Sequence, residues 1–93
     1  MIVGIMTAQL SMQGITSLKE KRSIVKGIIG RLKSRFNVSI SEVDHQDRKT
    51  SAVVGLAVVS NESRFVDQQF DAILTFMRSD GRFYISKVER ETF

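Results

Sequence analysis

The apolar residues of this 93-residue chain change their spacing in an order that few folds can accommodate. Residues 2–12 alternate, with Ile2, Met6, Leu10 and Met12 on one side and Val3 and Ile5 on the other, the pattern of a strand that is apolar on both faces. Gly14-Ile15-Thr16 reads as a turn, and Ser17 stands three residues before Glu20, the spacing of a capping box at a helix start. From there to about Phe36, Leu18, Val25, Ile28, Ile29, Leu32 and Phe36 recur at three- and four-residue steps and predict one amphipathic helix. Gly27 and Gly30 lie off that stripe, each at a cost of about 1 kcal/mol relative to alanine.

Val38 to Val43 predicts a second strand, with serines interleaved and Glu42 inside it, and residues 44–49 a polar loop. Ser51 to Val59 carries the strongest strand signal, Val53, Val54, Leu56, Val58 and Val59 with Gly55 and Ala57 between. Ser60 or Asn61 is placed to cap a second helix with the stripe Val66, Phe70, Ile73, Leu74 and Met77. Gly81 suits the left-handed position that ends such a helix, and residues 82–90 close as a charged strand. The order is βαββαβ, within a single domain over residues 1–93. It predicts an α+β, ferredoxin-like fold: a four-stranded antiparallel sheet with two helices on one face. In that topology the first and third strands are central. They are the most apolar here, while the second and fourth carry the Ser, Glu, Lys and Arg that suit edges. Both central strands are apolar on both faces, so the pattern does not choose the face that the helices cover. The other face is left as an apolar patch, for which a homodimer, or another partner on that face or an edge, is the simplest remedy.

Composition excludes several classes. With 42% hydrophobic and 26% charged residues, and no low-complexity tract, the chain is globular and not disordered. It has no cysteine, so disulfides and thiolate metal sites are excluded. Residues 1–12 lack a charged n-region and are interrupted by Thr7 and Gln9. No signal peptide and no membrane association is expected, and a cytoplasmic location follows as the default.

Four blocks then look familiar together: Ser17-Leu18-Lys19-Glu20-Lys21-Arg22, Arg35-Phe36-Asn37-Val38-Ser39, Glu42-Val43-Asp44-His45-Gln46-Asp47 and Val58-Val59-Ser60-Asn61. In this order they resemble the YlxP-like family of small bacterial proteins, over nearly the whole chain. The resemblance implies a ferredoxin-like fold and no established activity. Genes of that family stand beside genes for translation initiation, transcription elongation and ribosome maturation, an association that points toward RNA or ribosomal particles.

Two constellations are candidate sites. The net charge is +4, yet residues 17–36 hold seven basic residues against Glu20 alone. At about 100° per residue, Lys19, Arg22, Lys26 and Lys33 fall within a sector of roughly 60°, with Gly30 in the same stripe. Such a row can track a phosphate backbone, or it can simply be a solvated helix face. Four phosphates on a single strand correspond to a salt slope near −3, so affinity falls roughly sixty-fold between about 50 and about 200 mM salt. Base stacking in the manner of RNA-recognition domains is not expected, because the two central strands hold no aromatic residue; Phe83 and Tyr84 lie in the last strand, one of them packing inward. The second constellation is Glu42, Asp44, His45 and Asp47, readable as a partner-binding loop or as a hairpin whose aspartates accept local hydrogen bonds. Its spacing matches no metal-ligand pattern, and adjacent strand residues point to opposite faces, so neither a metal nor a cofactor is expected. No nucleophile elbow, P-loop, dinucleotide fingerprint or HExxH motif occurs, and no catalytic residue is assigned. The leading expectation is a non-catalytic RNA- or ribosome-associated binding protein that uses the first helix. The alternative is a dimeric protein-interaction or small-ligand regulatory module, and metal-dependent chemistry at His45 is the weakest of the readings.

Overall fold

A computed structural model describes residues 1–93 as β1 (Ile2–Ser11), α1 (Leu18–Arg35), β2 (Ser39–Asp44), β3 (Ser51–Ser60), α2 (Ser63–Arg78) and β4 (Tyr84–Thr92). The strands pair antiparallel in the order β2-β3-β1-β4, so the apolar β1 and β3 are central and the polar β2 and β4 are edges. The ladder continues beyond β4, because Val3 and Phe93 exchange backbone hydrogen bonds of 3.0 and 2.8 Å.

Both helices cover the face that carries Met6, Ala8 and Leu10 of β1 and Ala52, Val54, Leu56 and Val58 of β3. Ile28 and Leu32 of α1 and Val66, Phe70, Ile73 and Met77 of α2 close over it in one core. On the opposite face β1 is apolar at one end only, while β3 carries Val53 and Val59 toward its two ends. The β1 residues there run Val3, Ile5, Thr7, Gln9, and burying that polar half would leave hydroxyl and amide groups without water. Gly4 lies on the covered face where α2 crosses β1. A Cβ there would overlap Val66 and approach Phe70 Cε2 to 2.9 Å, so only glycine permits this approach. Arg90 fastens β4 to α2, its Nη1 lying 2.8 Å from Asp71 Oδ1 and its guanidinium over the Phe70 ring.

The helix ends differ in detail from the sequence reading. Ser17 Oγ accepts from Glu20 N at 3.1 Å, as a capping box requires, while Glu20 Oε2 reaches past the cap to Thr16 N at 3.4 Å. The cap of α2 is Glu62, whose side chain makes no capping bond; Ser60 Oγ instead accepts from Glu62 N at 3.3 Å. Gly81 is not in the left-handed region, which is occupied only by Gly14 and His45. The turn after α2 is set by Asp80, whose Oδ1 accepts from both Arg82 N (2.9 Å) and Arg82 Nε (3.1 Å). A carboxylate that ties down the following backbone makes a left-handed glycine unnecessary there.

Candidate nucleic-acid interface

The cations of α1 divide into two groups. Lys21 is fully buried, at 0% exposure, because it stands in the apolar stripe with Leu18, Val25, Ile28 and Leu32. Its three ammonium protons meet three acceptors: Glu42 Oε2 at 2.7 Å, His45 O at 2.8 Å and Gln46 O at 3.3 Å. Glu42 Oε2 in turn has no partner other than this ammonium. Arg31 is held by Asp80 across the helix pair, and the Arg35 guanidinium lies 4.7 Å above the Phe76 ring. The remaining four, Lys19, Arg22, Lys26 and Lys33, are exposed and take part in no ion pair or side-chain hydrogen bond. These are the four that share one sector of the helix. The cations with structural duties point elsewhere.

Lys19, Arg22 and Lys26 line a groove of about 730 Å³ between α1 and the β2–β3 hairpin, together with Ser23, Val25, Ile29, Glu42 and Gln46. Lys33 lies outside it, seven residues or about 10 Å further along the same face. Val25 and Ile29 supply an apolar floor, and Gln46 forms part of the opposite wall. The carboxylate of Glu42 is compensated by Lys21, so the three lining cations face no free negative charge.

A β-bulge shapes the hairpin wall. Glu42 pairs with Val54 and Asp44 with Val53, which leaves Val43 as the extra residue. Glu42 is thereby on the helix side, within reach of Lys21, while Asp44 is registered with a residue of the uncovered face. Val43 lies across Gly55, where a Cβ would come within 2.9 Å of Val43 Cγ1. At the tip, His45 adopts φ 61°, its N–H donates to Asp44 Oδ1 at 2.8 Å, and its carbonyl accepts from Arg48 N at 3.0 Å. The left-handed residue supplies the sharp turn. His45 Nδ1 sits 2.7 Å from Ser51 Oγ.

The four loop residues singled out in the sequence are therefore not one cluster. Glu42 belongs to the groove, Asp44 caps the turn, the half-buried His45 braces the hairpin, and exposed Asp47 has no side-chain hydrogen bond. No three His, Cys, Asp or Glu side chains come together in a metal-binding arrangement. Asp80 is the perturbed acid of the molecule: its hydrogen bond from Arg82, assisted by Arg31, lowers its pKa to about 2 against the opposing effect of burial.

Sequence reasoning missed Lys21, counted there as one more surface cation, and Gln46. The sign of Lys21 was its phase, since it completes the 18, 21, 25, 28, 32 stripe. Glu42 is likewise in phase with buried Ile40 on β2.

The chain is similar to known proteins in sequence and in fold. An uncharacterized protein of Bacillus subtilis (strain 168), YlxP, is 40% identical over 63 residues, 68% of either chain. The structured domain of Drosophila melanogaster Boca superposes over 95% of both chains with a TM-score of 0.53 at 19% identity. A protein designed de novo superposes over 100% of this chain and 97% of its own with a TM-score of 0.55 at 14% identity, and both likenesses speak to fold alone. Two of the blocks that carry the YlxP-like resemblance meet in space, through Lys21 on one side and Glu42, His45 and Gln46 on the other. Residues 3–90 match the family described as protein of unknown function (DUF503), and the chain belongs to that family.

Proposed function

We propose that the protein is a non-catalytic binding protein for RNA or ribosomal particles, with the Lys19–Arg22–Lys26 face of α1 as its contact surface and Lys33 extending it. One observation carries this reading: on a helix where every other cation is buried, ion-paired or stacked, these four stay unpaired and aligned. A row held clear of carboxylates retains its field for a polyanion. The contact is electrostatic and not stacking, since the two central strands hold no aromatic residue, Phe83 is buried, and the exposed Tyr84 and Phe93 lie on the β4 side of the sheet, away from the helix cations. No helix is long and apolar enough to cross a membrane. The test is a binding titration with structured and single-stranded RNA across a salt series, with the variant K19A/R22A/K26A alongside. Wild-type affinity should fall with a slope of about −2 to −3 for three or four contacts. The triple variant should lose most of the affinity and of the slope. Binding by the wild type no tighter than by a neutral protein at low salt overturns the proposal.

The uncovered sheet face supports a second property, self-association. Ile5, Val43 and Val59 are exposed there, and Val3 and Val53 are half-buried. Four strands about 4.8 Å apart and about nine residues long bound the whole face, Thr7 and Gln9 included, at roughly 600 Å² per copy, or about 1,200 Å² for a pair, the lower bound of a specific interface. Mass measurement in solution should give a salt-insensitive dimer that Ile5→Lys dissociates. A monomer at high concentration removes this property and leaves the helix reading intact.

A further inference from the structure

We propose that the groove between α1 and the β2–β3 hairpin is built for one unpaired nucleic-acid strand and not for a duplex. Phosphates would lie along Lys19, Arg22 and Lys26, and a sugar or base would rest on the half-buried Ile29, with Val25 buried beneath it, beside Gln46. This deepens the function proposed above and rests on it.

Three features of the groove carry the inference. It has two walls: the helix supplies the cations, and the hairpin rises opposite with Gln46. A duplex displays its phosphates on the outside of a body wider than an α-helix, so it would bridge the rims and leave the groove unused. A single strand fits between the walls, and the volume of about 730 Å³ is of the order of pockets that enclose small organic ligands. The second feature is the floor. Val25 and Ile29 offer nothing to a duplex, whose bases are stacked inside, whereas an unstacked base or the ribose gains from apolar contact. The third is rigidity. Lys21 bonds the carbonyls of both His45 and Gln46 from beneath, and the Asp44–His45 turn and the His45–Ser51 contact brace the same segment. The distance between the walls is therefore set by the fold, and a strand that enters does not have to order the hairpin. The Gln46 side chain makes no hydrogen bond within the protein, so its amide is free to donate and accept toward a ligand.

The experiment measures, at low salt, the affinity of the full chain for a labelled ten-nucleotide oligouridylate and for an RNA duplex of equal length. Wild type should prefer the single strand by about tenfold or more. Gln46→Ala, an exposed position whose backbone bond is retained, should weaken the single strand several-fold and leave the duplex unchanged. Equal affinity for the two probes, or no effect of Gln46→Ala on the single strand, overturns the groove site while the helix contact stands. Loss of both affinities in K19A/R22A/K26A together with equal probe affinities locates binding on the helix face alone. No binding of either probe by wild type removes both proposals.

Discussion

Glu42→Ala should be among the most damaging substitutions in this protein, more so than Lys21→Met, although Glu42 is the more exposed partner. The Lys21 ammonium has no exposure and three acceptors, one of them the carboxylate. Removing that carboxylate leaves a buried positive charge with two carbonyls, a loss of about 3–5 kcal/mol for a broken buried pair. Lys21→Met does less harm, because the Glu42 side chain is 18% exposed and can turn toward water. What it loses is the pair of bonds to the hairpin carbonyls, about 1–3 kcal/mol. Replacing both residues, as K21M/E42L, removes the charge problem altogether and should cost less than Glu42→Ala alone. Folding stability for 93 residues is on the order of 5–14 kcal/mol, so a loss of about 3–5 kcal/mol takes a large share of it and shows as a strong shift of the unfolding midpoint. The assay is urea unfolding followed by circular dichroism at fixed salt, with slopes compared between variants. A Glu42→Ala cost below about 1 kcal/mol, or additive effects in the double variant, refutes the reasoning from burial.

Three further outcomes follow from the geometry. Asp80 has a folded pKa of about 2 against the ordinary 3.8, so its stabilisation is complete above about pH 4 and is lost as pH falls through 3.8 toward 2. The loss should be about 2 kcal/mol, and an unfolding series in acid should show it in wild type and not in Asp80→Asn. Gly4→Ala should destabilise by about 1–3 kcal/mol through overlap with Val66 and Phe70, and Val66→Ala in the same chain should recover part of this in thermal unfolding. Phe83→Ala should cost about 3–5 kcal/mol because the ring is only 7% exposed, whereas Tyr84→Ala, at 55%, should stay within about 0.5 kcal/mol and leave RNA affinity unchanged.

The fold was legible because each element announced itself locally. The apolar run from Ser51 to Val59, the Ser17–Glu20 cap and the α2 stripe from Val66 to Met77 all lie where their spacing places them. Edge and centre were legible too, since polar strands gain nothing from burial between neighbours. The covered face was not legible, because β3 is apolar on both sides and β1 carries Val3 and Ile5 opposite Met6 and Leu10; the polar Thr7 and Gln9 that lie on the uncovered side were a signal left unused. The helix C-terminus at Gly81 was misread because a side chain, Asp80, performed what a glycine commonly does. In the site, the alignment of Lys19, Arg22, Lys26 and Lys33 followed from helical angle alone. The inward Lys21 did not, since its type argues for the surface while its phase argues for the core. Phase wins where a carboxylate waits in register on the neighbouring strand. Position 42 could be recognised as that partner only once β2 was known to lie under α1. The groove wall at Gln46 depends on a bulge and a left-handed histidine, neither of which leaves a local signal in composition.

The backbone pairing of Val3 with Phe93 has a practical consequence. Both termini leave the sheet side by side, at the corner diagonal to the β2–β3 hairpin, because β1 runs from that corner toward Ser11, where Met12 meets Thr50. A fluorophore or affinity handle joined to either terminus therefore stands clear of Lys19, Arg22 and Gln46. A short linker between residues 93 and 1 would close the chain into a ring, and new ends could then be opened at exposed Asp47–Lys49 without cutting a strand.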